Sequence, residues 1–158
     1  MPTDIDEVQV RDWIDDELVE GVEAVPDDAA VFNLTVQMSG MLVHVIKRQP
    51  SGPLVVGQEI AFDDDIQNRI QGLASAPRGD LVTRVRETLM DVPGVYGFVD
   101  EQGTNVAFED VSRVFLEYRV YPDEADQQTL MEGLVGVWKG LRYLDDIWTL
   151  IDSVENQR

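Results

Sequence analysis

VFNLTVQMSGMLVHVIKRQPSGPLVVGQEIAF, residues 31–62, is the stretch of sequence that decides the fold. Apolar and mostly polar side chains alternate along residues 31–38, which is the period of a half-buried strand. Residues 41–48 are rich in β-branched side chains, and a turn containing proline and glycine separates them from a third run at 54–62. The pattern predicts a meander of three antiparallel strands.

Helical patterns flank the meander. Apolar residues recur at helical spacing from residue 4 to residue 21 and predict a first helix. Asp63 to Asp65 supply capping carboxylates for a short helix after the third strand. Ala76-Pro77-Arg78-Gly79 is expected to break or kink it. A further helix is then expected, with Arg84 and Arg86 facing outward. Its inward-facing apolar residues are Leu81, Val82, Val85 and Leu89, with Met90 as a further candidate.

The second half of the chain adds strands and a closing helix. Short strands are expected at 95–100 and 105–108, with the pairing of the second left open near Val106, and a longer strand at 114–120. A long helix is expected from residue 123 to 154. The order α-β-β-β-α-β-β-α predicts an α+β fold: one antiparallel sheet of about five strands with helices on one face. The length of 158 residues is typical of a single domain, residues 1–158.

Charge is the strongest compositional signal. The 31 Asp and Glu residues outnumber the 12 Lys and Arg residues, giving a formal net charge of -19, and Lys47 and Lys139 are the only lysines. This composition resembles the proteomes of salt-in halophilic archaea, in which molar salt screens the repulsion between carboxylates. An acidic surface for a basic partner, or a nucleic-acid mimic, is the competing explanation, but it predicts one clustered patch rather than a dispersed excess.

Several classes of protein are disfavoured by the sequence. The absence of cysteine excludes disulfides and thiolate metal sites and fits an intracellular protein. The sequence contains no stripe of basic residues that could neutralise phosphates, so we expect no nucleic-acid partner. The N-terminus has no signal-peptide pattern and no apolar run is long enough for a membrane span, so a cytoplasmic location is expected.

The closing helix contains an apolar seam with a period of 3.5 residues. Its members are Leu130, Leu134, Val137, Leu141, Leu144, Trp148 and Ile151. Packing on the chain's own sheet explains such spacing, and a homodimer contact or a groove for a partner helix is the alternative. Gly133, Gly136 and Gly140 lie beside the seam, and each costs a helix about 1 kcal/mol relative to alanine, so a close backbone approach is expected to offset them.

Large aromatic side chains accompany the glycines. Trp138, Tyr143 and Trp148 offer the kind of surface from which binding faces gain energy. We predict that they form an interaction face with the three glycines, opposite Trp13 of the first helix, and that a homodimer is the leading assembly.

Catalytic constellations are missing from the sequence. His44 is the single histidine and lies in an apolar strand, where a satisfied strand residue is a better interpretation than a general base. Asp63 to Asp65, or Asp145 with Asp146, offer oxygen ligands for Mg²⁺ or Ca²⁺, but paired aspartates are expected by chance in so acidic a chain. We predict no catalytic residue, no metal site and no cofactor.

The order of elements resembles the type III secretion chaperone-like superfamily and its relatives, the DUF2299-type proteins of archaea and the YbjN-type proteins of bacteria. Eight segments carry the resemblance: Val8 to Leu18, Val31 to Met38, Leu42 to Arg48, Leu54 to Phe62, Leu81 to Leu89, Val95 to Val99, Val114 to Tyr121 and Leu130 to Ile151. The resemblance implies a non-enzymatic, often dimeric protein-binding domain, adaptor or chaperone-like, with an unknown partner. A metal-assisted hydrolase using Asp63 to Asp65 and a dimeric regulatory platform of the roadblock or longin type are the alternatives.

Overall fold

The computed structural model describes residues 4–156, and its strands form one six-stranded sheet in the order β1-β2-β3-β4-β6-β5. The sheet is antiparallel and the helices pack on one of its faces. The strands are β1 (Gly21–Ala24), β2 (Phe32–Met38), β3 (Met41–Lys47), β4 (Leu54–Ala61), β5 (Val95–Val99) and β6 (Arg113–Val120). The predicted α+β class is confirmed, with one strand more than expected.

Five α-helices accompany the sheet in the described part of the chain. They are α1 (Glu7–Trp13), α2 (Asp64–Gln71), α3 (Ser75–Met90), α4 (Gln127–Asp145) and α5 (Ile147–Glu155). Short 3-10 helices at Phe108–Asp110 and Pro122–Glu124 flank β6. No helix within residues 4–156 combines the length and the hydropathy needed to cross a bilayer.

The predicted meander is confirmed as β2, β3 and β4. Phe32 pairs with Lys47 and Met38 with Met41, so β2 and β3 are in register over their full length. The hairpin turn consists of Ser39 and Gly40, both with positive φ, which matches the right-handed twist of the strands it joins. Because side chains alternate across a strand, buried and less buried positions alternate along β2.

The first helix is shorter than the predicted span from residue 4 to residue 21. Asp6 caps its N-terminus by accepting a hydrogen bond from the Gln9 amide, and Ile14 ends it with an extended backbone. Carboxylates follow at 15–17, where they would oppose the negative end of the helix dipole, so the helix stops there. Residues 21–24 then form β1, which pairs with β2.

Two other boundaries also differ from the sequence-based expectation. Pro77 does not break a helix: it lies in the first turn of α3, where the missing amide hydrogen has no intrahelical partner to lose. Met90 ends α3 exposed rather than inward. Residues 105–108 form no strand: Asn105 makes one isolated bridge to Val99, and a 3-10 helix begins at Phe108.

The predicted long helix over 123–154 is two helices. It begins with a 3-10 turn at Pro122–Glu124, and α4 ends at Asp145 before α5 begins at Ile147. Asp146 separates α4 and α5 with a non-helical backbone (φ -87°, ψ 21°). The carboxylates of Asp145 and Asp146 lie at the C-terminal end of α4, where they repel the negative end of the helix dipole. This repulsion is a physical reason for a break at this position.

Contacts divide the chain into two compact units. The first unit comprises the described residues of Met1–Gln58 together with Glu117–Trp138, and the second comprises Glu59–Leu116 with the described residues of Lys139–Arg158. In the first unit the buried side chains of β2 and β3 are joined by Ile5, Val10 and Ile14. In the second, the rings of Phe62 and Phe98 meet the ring of Phe108 nearly edge to face, with centroids 6.2 and 5.2 Å apart.

Candidate functional site

The apolar seam of the closing helices is buried within the chain. The following six of its seven members are at most 1% exposed: Leu130, Leu134, Val137, Leu141, Leu144 and Ile151. Trp148 is the exception, with 43% of its surface exposed. The seam therefore packs as core, and its regular period reflects the buried side of two consecutive helices.

The glycines beside the seam lie against side chains of the same chain. A Cβ added at Gly133 would meet the ring of Tyr118, and one added at Gly140 would meet Leu116 at 2.6 Å and Val92 at 3.4 Å. Gly136 is buried as well. The close approach expected from the sequence is present at Gly133 and Gly140, and each meets residues of its own unit.

Alanine substitutions at two helical glycines are expected to have opposite effects. Gly133→Ala should lower the free energy of unfolding by about 1 to 3 kcal/mol, because the methyl group would displace the Tyr118 ring. Gly79→Ala should raise it by up to about 1 kcal/mol, because open space surrounds that position and alanine favours the helix. Thermal melting of both variants in concentrated KCl tests the pair, and equal shifts would contradict it.

The predicted aromatic residues are distributed over both units. Trp13 and Trp138 lie half-buried in the first unit, and Tyr143 and Trp148 lie in the second. The Trp13 carbonyl accepts a hydrogen bond from the Gln127 side chain at 3.1 Å. The buried Nε1 of Trp138 has no acceptor among residues 4–156. The proposed interaction face of these aromatics stays a prediction.

Carboxylates crowd the start of α4. Asp126 accepts a hydrogen bond from the Thr129 amide at 2.7 Å, and this bond lowers the pKa of the Asp126 carboxyl. Burial raises the pKa of the Tyr118 hydroxyl, and the charges of Glu132, Glu124 and Asp126 raise it further. The hydrogen bond from the Thr129 amide to Asp126 stabilises the start of α4.

Two of the residues considered for catalysis or metal binding, His44 and Asp63, lie within reach of local partners. His44 Nδ1 lies 3.4 Å from the Thr35 hydroxyl, its cross-strand neighbour. Asp63 caps α2 by accepting from the Ile66 amide at 2.9 Å. Within residues 4–156, no three His, Asp or Glu side chains are grouped in a way that would hold a metal ion.

A different surface has a feature that the sequence analysis missed. No Asp or Glu occurs among the 30 consecutive residues from Ala29 to Gln58, although the chain contains 31 of them. The core explains a third of this stretch, because ten of its 30 residues are buried, among them Leu34, Val36, Val43, Val45 and Val56. It does not explain the alternate positions, which lie on the opposite side of the strands.

We name as the neutral face these alternate positions of β2, β3 and the start of β4, together with the residues of β1 and β6 on the same side of the sheet. They belong to the first unit, and the pairing of β1 to β4 with the alternation along β6 places them on one side of the sheet. The members are Glu23, Asn33, Thr35, Gln37, Leu42, His44, Ile46, the buried Val55, Glu117 and Arg119, with Arg48 directly after β3. Leu42 is 48% exposed and Ile46 is half-buried, so the face also exposes apolar surface.

Opposite charges balance on the neutral face. Apart from His44, its ionisable side chains are Glu23 and Glu117 against Arg48 and Arg119. Arg119 Nε bonds Glu117 at 3.0 Å, and this bond raises the pKa of the guanidinium group. A hollow of about 230 Å³ lies at the arginine end of the face, lined by Arg48, Gln49, Gly52, Pro53, Val55 and Arg119. The face is thus uncharged overall within a chain of net charge -19.

A second hollow lies in the second unit. It has a volume of about 540 Å³ and is open to solvent. Its lining includes three aromatic side chains, together with Arg86 and Met90; the aromatic members are Tyr96, Phe98 and Phe115. Its lining contains no carboxylate, histidine, serine or threonine.

Comparisons with known proteins place the fold and the family. A crystal structure of an uncharacterized protein from Methanothermobacter thermautotrophicus matches with a TM-score of 0.70 and 15% sequence identity, covering 94% of this chain and 98% of the other. At that identity the likeness shows the fold alone. No curated protein matches. Residues 6–148 match the family model described as an uncharacterized conserved protein, DUF2299. This match covers most of the sequence, and the chain therefore belongs to the DUF2299 family.

Proposed function

We propose that this chain is a non-enzymatic protein-binding domain that works in concentrated salt, and that the neutral face is its binding surface. In this proposal the domain acts as an adaptor or a chaperone-like protein in the cytoplasm of a halophile. The resemblance to the type III secretion chaperone-like superfamily, which implies protein binding, supports this interpretation. The metal-assisted hydrolase and the roadblock or longin-like platform have no specific observation in their favour.

The absence of carboxylates from residues 29–58 carries the proposal. Carboxylates hold water and cations at the surface of a protein in concentrated salt, and all 31 of this chain lie outside residues 29–58. On β2 and β3, in the middle of the neutral face, their place is taken by uncharged polar residues, His44, Leu42 and Ile46. Depletion of charge is typical of the centre of a protein–protein interface. Such a surface is suited to contact with another protein rather than with concentrated salt solution.

The charge balance also restricts the partner. A strongly basic protein would gain most by binding the acidic remainder of the chain, so it has no reason to choose the neutral face. Nucleic acid requires cations against its phosphates, and Arg48 and Arg119 are opposed by Glu23 and Glu117. The expected partner surface is therefore uncharged or balanced in charge, with apolar groups for Leu42 and Ile46.

Capture from a halophile lysate in about 3 M KCl, read by mass spectrometry, tests the proposal. Leu42→Glu puts a carboxylate on the neutral face and is expected to lose the proteins that the unaltered chain retains. Val8→Glu makes the same change at an apolar residue of α1 that is 68% exposed, and it should retain them. Equal retention by all three chains would contradict binding at this face, and retention of no protein, including native copies of the chain, would contradict protein binding.

A further inference from the structure

The hollow of the second unit lies along β5, the last strand of the sheet order. Tyr96, Gly97 and Phe98 are consecutive residues of that strand, and Phe115 lies on its neighbour β6. The rings of Tyr96 and Phe98 are 5.6 Å apart and inclined by 51°. A Cβ added at Gly97 would meet the ring of Phe115, so this ring lies against the backbone of the glycine. The hollow therefore offers aromatic surface from two adjacent strands.

Three lining residues also have side chains that donate hydrogen bonds. They are Arg86, Tyr96 and Asn105. Within residues 4–156, none of these three side chains forms a hydrogen bond or an ion pair with another part of the protein. Arg86 is the single charged residue of the described lining, although the chain has 31 acidic residues. The hollow is therefore locally positive, and its donors are free to bind a ligand.

We propose that this hollow is a binding site for a small planar anion with an aromatic ring, such as an aromatic carboxylate. The ligand ring would lie against the aromatic side chains, and its carboxylate would accept two hydrogen bonds from the planar guanidinium group of Arg86. Both contacts are short-ranged, so they persist where concentrated salt screens the attraction between distant charges. The volume of about 540 Å³ lies within the range of small-molecule sites.

An extended peptide fits this place less well. A peptide strand binds by pairing with the free edge of a sheet. Here the Val106 amide already donates to the Phe98 carbonyl at 3.0 Å, and Asn105 bridges Val99. The edge of β5 is thus covered at its C-terminal end, so few backbone groups remain for another strand. The free donors are better used by a compact ligand.

The inference is independent of the proposed protein-binding function. Every lining residue of the hollow belongs to the second unit, whereas the neutral face belongs to the first. The variant Leu42→Glu should therefore bind the small anion as the unaltered chain does, whatever it does to captured proteins.

Titration of the full chain with naphthoate in about 3 M KCl, followed by the NMR shifts of its backbone amides, tests the site. We expect shifts at residues 96–98 and 105–106, with a dissociation constant on the order of 1 mM, which is typical of contact through about a dozen ligand atoms. Naphthamide keeps the rings without the charge, and cyclohexanecarboxylate keeps the charge without the aromatic rings. Each should bind at least about fivefold more weakly. Unchanged amides at about 20 mM naphthoate would overturn the inference, and so would equal binding of all three compounds.

Substitution of arginine locates the anion. Arg86→Gln removes the guanidinium group from the hollow and should weaken naphthoate binding at least about fivefold. Arg142→Gln is the matched control, because it removes an exposed arginine of the same unit that lies outside the hollow, and it should bind as the unaltered chain does. Melting curves verify that both variants are folded. Equal binding by the two folded variants would overturn the site.

Discussion

The chain is expected to lose several kcal/mol of its free energy of unfolding, and tens of degrees in melting temperature, when about 3 M KCl is replaced by dilute buffer. The cause is the excess of 31 acidic over 12 basic residues, few of which are paired. Within residues 4–156, the ion pairs involve four arginines: Arg11, Arg69, Arg113 and Arg119. Most carboxylates therefore depend on dissolved cations.

The magnitude follows from many small repulsions. Two unit charges about 10 Å apart in water repel by about 0.4 kcal/mol when unscreened. The screening length is about 10 Å at 0.1 M salt and about 3 Å at 1 M, so most such pairs no longer interact in concentrated KCl. Several dozen pairs of this size match the 5–15 kcal/mol by which a domain is typically stable.

Variants with fewer carboxylates distinguish the screening of charge repulsion from the general strengthening of apolar contacts by salt. The triple variant Asp16→Asn, Glu17→Gln, Glu20→Gln neutralises exposed carboxylates between α1 and β1. It should melt at a higher temperature than the unaltered chain in dilute buffer and at nearly the same temperature in about 3 M KCl. Equal or greater stability of the unaltered chain in dilute buffer would make the predicted salt adaptation wrong.

Local patterns predicted the centre of the fold correctly and its boundaries less well. Alternation along residues 31–62 identified β2, β3 and β4 because one side of each strand is core. Helical periodicity was misleading at residues 14–21, where apolar residues continue the helical period beyond the point at which the helix ends. Pairing of β1 with β2 is a tertiary contact, and it overrides that local periodicity.

The sequence also contained the signal for the neutral face, but in the distribution of residues rather than in a motif. A count of acids over the whole chain describes the excess as global, whereas its interruption from Ala29 to Gln58 is visible only when positions are compared. Strand pairing then shows which residues in that stretch face away from the core. At the end of the chain a regular pattern suggested a binding face, but six of the seven seam residues are buried, and Gly133 and Gly140 lie against the chain's own side chains.

Lys47→Ala is expected to destabilise the chain by about 2 to 4 kcal/mol. Lys47 is 1% exposed, and its Nζ donates a hydrogen bond of 2.8 Å to the Ile5 carbonyl. It lies on the core side of β3, between Phe32 and Leu54 on the neighbouring strands. Alanine would leave a void in place of the aliphatic stem and remove the donor that holds the segment before α1.

The other lysine of the chain provides the matched control. Lys139 is exposed on α4, so Lys139→Ala should change stability by no more than about 0.5 kcal/mol. Lys47→Met keeps the volume of the stem but removes the ammonium group, so it separates packing from the bond to Ile5. If packing dominates, Lys47→Met melts near the unaltered chain; if the hydrogen bond dominates, it melts near Lys47→Ala. Equal melting temperatures for Lys47→Ala and Lys139→Ala in concentrated KCl would contradict a structural role for Lys47, because a buried side chain of this size cannot be removed without cost.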